Sequence, residues 1–225
     1  MINLNKYNIQ LLIDFDSTFI KSESLEIISE ISLKDSIDNN KTIKKIKELT
    51  NRAMNGDIPF SDALIKRIKL LKANKEHINL TIDQINNQIS DSFKKNKKFF
   101  QENCENCYII SGGFLQIIKP IMKDYNIPEK NIFANELIFD KDGYITSINK
   151  KNPLSKNLGK IEIAKKIKGE KIIIGDGYTD YEIKKYGYAD IFIAYTEHVD
   201  RANVSKLADY KSKSFTDIIK YINNL

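Results

Sequence analysis

The stretch Ile9-Gln10-Leu11-Leu12-Ile13-Asp14-Phe15-Asp16-Ser17-Thr18 decides the fold, because an apolar run ends there in two carboxylates. Such a run predicts a strand, and one with few polar residues belongs in a sheet covered on both faces. Side chains two apart on a strand share a side, so Asp14 and Asp16 start out together. Neighbouring carboxylates repel unless a cation or a proton lies between them. The pair is therefore a metal site or an acid/base dyad, unless the segment is only a turn that favours Asp and Ser.

Two further segments end in the same abrupt way: Tyr108-Ile109-Ile110-Ser111-Gly112-Gly113 and Lys171-Ile172-Ile173-Ile174-Gly175-Asp176-Gly177. A fourth strand, Asp190 to Tyr195, fits beside them. Helices are expected at about Phe114 to Tyr125 with a kink at Pro120, Leu158 to Lys168 before Gly169, and Thr179 to Tyr186 before Gly187. The alternation predicts an α/β fold: a Rossmann-like parallel sheet with helices on both faces, which binds ligands beyond the carboxyl ends of its strands. Phe133 to Ile148, with Asp142-Gly143 at its turn, reads as a β-hairpin on the sheet's edge.

About ninety residues separate the first two strands, too many for a simple crossover. Ile43, Ile46, Leu49 and Ala53 recur on one helical face, and Leu64, Ile68 and Leu71 on another. Ser61 is the expected N-cap of the second of these helices, and Thr81 that of a third. Residues 21–88 thus read as a small helical-bundle cap domain inserted into a core of residues 1–20 and 89–225, hung over the catalytic end of the sheet.

The 225 residues are 41% hydrophobic and 29% charged, with a net charge of +6. The lysines are scattered, with no basic and aromatic recognition run, so the charge reads as a solvated surface and no nucleic-acid partner is expected. No apolar run approaches a membrane span or a secretory signal, so no membrane partner and a cytoplasmic location are expected. Cys104 and Cys107 form one Cys-x-x-Cys with no other zinc ligands near in sequence, and read as structural thiols. Only three basic residues, Arg52, Arg67 and Arg201, are arginine. Such scarcity draws attention to sites needing a planar, bidentate fork.

The strand ends supply Asp14, Asp16, Ser111, Gly112, Asp176 and Asp180, and the helix start near Gly159 adds Lys160. Several carboxylates converging on one point require a hard divalent cation, and Mg²⁺ suits carboxylate, water and phosphate oxygens. Ser111 with the N–H groups of Gly112 and Gly113 reads as a phosphate-binding nest, to which Lys160 adds positive charge. This is an inventory for phosphoryl transfer. With no histidine or thiolate in the set, the nucleophile is a carboxylate, Asp14, and Asp16 is the acid/base that serves leaving group and water in turn.

The motifs Asp14-Phe15-Asp16-Ser17-Thr18, Ser111-Gly112-Gly113-Phe114, Lys160 and Gly175-Asp176-Gly177-Tyr178-Thr179-Asp180 resemble, in order, the four motifs of the haloacid dehalogenase superfamily. Within it they are similar to the phosphoserine phosphatase family, whose helical cap follows the first motif. The resemblance implies hydrolysis of O-phospho-L-serine, the last step of serine biosynthesis, through a phospho-aspartate on Asp14. It further implies a Mg²⁺ site in which Asp14 and Asp176 are ligands, Asp16 ligates through its carbonyl and Asp180 reaches the ion through water. In the cap, Arg52-Ala53-Met54-Asn55-Gly56-Asp57-Ile58-Pro59-Phe60 and the following Arg67 are similar to the family's substrate-binding segment. Glu23 stands at the position that binds the serine amine, and Thr179 and Arg201 at positions associated with phosphoserine. The substrate set implied is Glu23, Met54, Phe60, Arg67, Thr179 and Arg201. Asn55 departs from a position commonly Gly, and Tyr195 to Asp200 differs from several relatives.

The nearest rival is a phosphatase of the same superfamily acting on another small phosphomonoester. Glu23 with Arg67 discriminates, since a sugar phosphate offers neither a charged partner. A non-catalytic phosphate- or Mg²⁺-binding relative is expected to lack Asp14 or Asp16, and both are present. Oligomeric state is not legible in the sequence.

Overall fold

The structure, a computed structural model, describes residues 3–225. The chain enters through a single helical turn and strand β1 (Ile9–Ile13), then passes into helices α1 (Ser24–Ser32), α2 (Asn39–Met54), α3 (Phe60–Leu70) and α4 (Lys75–Asn86). Two short helices, α5 (Asp91–Lys95) and α6 (Lys97–Glu102), lead back to β2 (Cys107–Phe114) and α7 (Leu115–Met122). Strands β3 (Ile132–Asn135), β4 (Leu137–Phe139) and β5 (Ile145–Ile148) follow. The remainder is α8 (Gly159–Ala164), β6 (Glu170–Gly175), α9 (Tyr178–Lys185), β7 (Ile191–Tyr195), α10 (Ala202–Ser205), β8 (Tyr210–Ser212) and α11 (Phe215–Asn223).

Six strands form one sheet in the order β3-β2-β1-β6-β7-β8, with every neighbouring pair parallel. β1 is central, its Leu11 opposite Cys107 on one side and Ile172 on the other. Alternation along the strands explains both faces. Leu11, Ile13, Ile109, Ile172 and Ile174 point into a core shared with the phenylalanines of α5, α6 and α11. Leu12, Ile110, Ile173 and Phe192 point into a second core with Ile161 and Ile183 of α8 and α9. Both faces being buried is why these strands read as unbroken apolar runs. No described helix is long and apolar enough to cross a membrane.

Several sequence expectations shift. The Phe133 to Ile148 hairpin divides: β3 joins the parallel sheet, and only β4 and β5 pair antiparallel as a separate two-stranded ribbon. Helix α3 starts at Phe60 with Pro59 as N-cap, so Ser61 lies inside it. Helix α4 starts seven residues before its expected origin at Ile82. Its cap is a reciprocal box of Asn74 and His77, and Thr81 is internal, its hydroxyl donating to the His77 carbonyl at 2.7 Å. Helix α7 gives way after Met122 to a tighter turn ending at Tyr125, with Pro120 inside it. Cys104 and Cys107 are free thiols, and burial pushes the Cys107 thiol above its usual value.

The two passages between the helical insertion and the sheet run side by side. The Lys21 N–H donates to the Gln88 carbonyl at 2.8 Å and the Ser90 N–H to the Phe19 carbonyl at 3.0 Å, with Ile20 opposite Ile89. The β4–β5 ribbon touches the insertion from the other side. The Lys75 N–H donates to the Gly143 carbonyl at 3.0 Å and the Ile145 N–H to that of Ala73 at 2.8 Å.

Candidate active site

Beyond Ile13 the chain stays extended for one residue, and the Asp14 N–H completes the ladder to the Ile174 carbonyl at 2.9 Å. It then winds into a tight turn over Phe15–Phe19, in which Ser17 takes a left-handed φ of +54°. That conformation is costly for a residue with a side chain and is sustained by the bonds around it. The Ser17 N–H donates to the Ser22 carbonyl at 3.0 Å, and the Ser17 hydroxyl to Glu23 at 2.7 Å. One strand end thereby presents Asp14, Asp16 and Glu23 to the same space.

The Asp14 carboxylate accepts from the Phe15 N–H at 2.7 Å and from the Lys160 ammonium at 2.9 Å. Lys160 also reaches Asp180 at 2.7 Å. Burial works against its charge, but Asp14 and Asp180 outweigh that and hold it above the usual value. Its placement depends on Gly159, where a Cβ would lie 2.2 Å from the Pro153 carbonyl oxygen. Asp176, one residue past β6, accepts from Arg201 Nε at 2.9 Å and from the Thr18 hydroxyl at 3.4 Å. Burial raises Asp176 to about 7 although Arg201 opposes the shift, and burial with Asp14 raises Asp180.

Asp14, Asp176 and Asp180 each offer an oxygen, all within 4.8 Å of one another. Five carboxyl groups, Asp14, Asp16, Glu23, Asp176 and Asp180, gather around the three cations Lys160, Arg67 and Arg201, more acid groups than these cations match. That excess and the all-oxygen donor set fit a hard divalent cation. The Asp16 carboxylate is not in the cluster. It turns to Ser24, accepting from its N–H at 2.8 Å and its hydroxyl at 3.1 Å. Burial, then the charge of Glu23, pushes Asp16 well above the usual carboxylate range.

Ser111, Gly112 and Gly113 lie at the end of β2 rather than on the helix that follows, and the Gly113 N–H donates to the Ser111 hydroxyl at 2.9 Å. Both glycines leave room for close approach of neighbouring side chains. A Cβ on Gly112 would lie 2.7 Å from the Phe60 ring, and one on Gly113 2.8 Å from Asp16 Oδ2.

Between sheet and insertion lies a narrow cleft, partly open to solvent, lined by Asp14, Asp16, Glu23, Met54, Phe60, Arg67, Gly112, Gly113, Lys160 and Thr179, with Leu25 and Phe114. Arg67 is buried, and donates to the Thr50 hydroxyl at 3.0 Å and the Ala63 carbonyl at 3.4 Å. No carboxylate pairs with it among the described residues. The Thr179 hydroxyl is buried with no partner. A cavity ending in an uncommitted guanidinium, a carboxylate, an ammonium and a free hydroxyl suits a small ligand carrying both charges.

Arg201 sits elsewhere. It does not line this cavity but braces Asp176, the Asn51 amide oxygen at 3.1 Å and, at 3.8 Å, Glu23. Arg52 is exposed. The residues that sequence reasoning missed are supports: Ser17 on Glu23, Ser24 on Asp16, Thr50 on Arg67 and Asn51 on Arg201. A serine directly after Glu23, at the start of a helix, was the one available signal.

No family model matches the chain. A curated relative, the chloroplastic phosphoserine phosphatase of Arabidopsis thaliana, is 32% identical over 215 residues, covering 93% of this chain and 70% of its own. A phosphoserine phosphohydrolase-like protein of Francisella tularensis superposes with a TM-score of 0.86 at 37% identity, over 95% of this chain and 99% of that one. A structure described as the phospho-aspartyl intermediate analogue of phosphoserine phosphatase superposes with a TM-score of 0.77 at 26% identity, over 95% and 98%. With the six-stranded parallel sheet and the motif residues gathered at its carboxyl edge, these likenesses show that the chain belongs to the phosphoserine phosphatase family of the haloacid dehalogenase fold.

Proposed function

We propose that this protein hydrolyses O-phospho-L-serine to L-serine and phosphate, with Mg²⁺ and through a phospho-aspartate on Asp14. The observation that carries the reading is the cavity itself, where nucleophile, acid/base, anion-binding groups and both charge-recognition residues meet.

Asp14 attacks phosphorus, an O–P bond forms, and the bond to the serine oxygen breaks. Asp16, whose raised affinity for a proton suits a general acid, passes that proton to the leaving oxygen. In the second half Asp16 takes a proton from the attacking water, and the Asp14 carboxylate is restored. Lys160, Ser111 and the strand end at Gly112 and Gly113 hold the phosphate throughout. Asp14, Asp176 and the main-chain carbonyl of Asp16, with Asp180 acting through water, would hold a divalent cation, which would neutralise charge on the phosphate. Glu23 takes the substrate's ammonium and Arg67 its carboxylate, with Met54 and Phe60 around the methylene and the Thr179 hydroxyl free for a remaining oxygen.

Residues 21–88 act in this reading as a cap that opens at the paired passages near residues 18–22 and 88–91. Opening strains or breaks the ties from insertion to core, among them the Ser61 N–H to Asn157 at 3.0 Å, Arg201 to Asn51, and the main-chain bonds of Lys75 and Ala73 to the β4–β5 ribbon. The test is a panel of phosphomonoesters offered to purified protein with Mg²⁺ or with excess chelator. Phosphoserine turned over fastest, and only with metal, supports the reading. Full activity in chelator, or preference for a sugar phosphate, overturns it.

A further inference from the structure

A general acid contributes only if its proton points along the bond being broken, so what fixes the Asp16 carboxyl plane matters as much as Asp16 itself. Ser24, the first residue of α1 and fully buried, holds both of its oxygens. The Ser24 N–H, one of the amides a helix start leaves without an internal partner, donates to Oδ1 at 2.8 Å. Its hydroxyl lies 3.1 Å from Oδ2, the oxygen that faces Gly113 and the end of β2. An amide can only donate, so Oδ1 is always an acceptor and the transferable hydrogen belongs on Oδ2. The Ser24 hydroxyl donates to a lone pair of Oδ2, which leaves the hydrogen on Oδ2 free to point at the leaving oxygen.

We propose that Ser24 is a positioning residue for the reaction, a two-pronged clamp that sets the plane of Asp16 and designates Oδ2 as the oxygen that exchanges protons. The inference rests on the phosphatase reading. As Asp14 forms its bond to phosphorus and the ester bond breaks, the hydrogen moves from Oδ2 to the leaving oxygen, and the Ser24 hydroxyl keeps donating to the carboxylate that remains. The same helix start carries Glu23, so one rigid element aims both the acid/base and the recognition carboxylate.

The test compares kcat/KM, which reports transfer to Asp14 and not the later hydrolysis, for ethyl, phenyl and p-nitrophenyl phosphate. None carries an ammonium or carboxylate, so a disturbance of Glu23 does not register. Ethoxide leaves only with a proton, whereas p-nitrophenolate leaves without one. Ser24→Ala is expected to lower kcat/KM for ethyl phosphate by roughly tenfold and that for p-nitrophenyl phosphate by less than about twofold, phenyl phosphate falling between. An equal loss on all three esters overturns the proposal. If Ser24→Ala does not fold by circular dichroism, Ser24→Cys, close in size but a poor donor, carries the same comparison and criterion. A wild type that hydrolyses these esters but ignores phosphoserine overturns the substrate reading instead, leaving the Ser24 comparison intact.

Discussion

Arg67 gives the sharpest prediction because the structure shows both what holds it and what it leaves free. A guanidinium has five N–H donors in a fixed fork. Here one is spent on Thr50 and one, at a long 3.4 Å, on the Ala63 carbonyl, while the ring of Phe60 lies 5.9 Å away. Burial lowers its proton affinity against the pull of Glu23, Asp16 and Glu26, which is the signature of a desolvated cation without a close partner. A substrate carboxylate completing that site makes a charge-assisted contact worth about 1.5–3 kcal/mol, or roughly tenfold to 150-fold in kcat/KM. Arg67→Ala should therefore cost phosphoserine that factor. p-Nitrophenyl phosphate, which has no carboxylate, corrects for any loss through Phe60 and should fall only a fewfold. Arg67→Lys should lie between, keeping charge without the fork. Steady-state kinetics on both esters decide the matter, and equal losses on both would refute the assignment.

Two other perturbations address the metal cluster. A Cβ at Gly175 would lie 2.3 Å from Asp180 Cγ, so Gly175→Ala must push that carboxylate off Lys160 and out of the cluster. Mg²⁺ affinity by calorimetry should drop by at least about tenfold, and unchanged affinity would contradict the ligand set. Asp176 stands at about 7 against an ordinary 3.8, chiefly through burial, so the folded, metal-free protein holds this proton more tightly than the unfolded chain. Its contribution to stability is full below 3.8 and lost as pH rises through about 7. In chelator, the melting temperature of Asp176→Asn relative to wild type should accordingly climb over that range, and parallel curves would dispose of the argument.

What was legible in the sequence follows from burial. β1, β2, β6 and β7 are covered on both faces, so each shows as an apolar run stopped by Asp or Gly. β3 and β8 lie at the sheet's edges, and β8 is the three residues Tyr210–Ser212, with no pattern to find. The helices of the insertion showed their apolar faces but not their starts, because the Asn74 box closes through His77 where a glutamate is the familiar signal. At the site, the residue types and their spacing were readable, since motif neighbours sit on strand ends. The orientation of Arg201 was not. It depends on Asp176, 25 residues away, and Asn51, 150 residues away, and no local pattern reports such pairings. The turn of Asp16 away from the cluster toward Ser24 is likewise a product of the Phe15–Phe19 winding and not of strand alternation.

The proposed mechanism stands or falls on whether Asp14 carries the phosphoryl group. Acid quenching during turnover of phosphoserine with Mg²⁺, followed by peptide mass mapping, tests it most directly. A phosphoryl adduct is expected on the peptide containing Asp14, chased away by hydroxylamine, and absent from an Asp14→Asn protein whose turnover has fallen by several orders of magnitude. An adduct on any other residue, or undiminished turnover by Asp14→Asn, would contradict it.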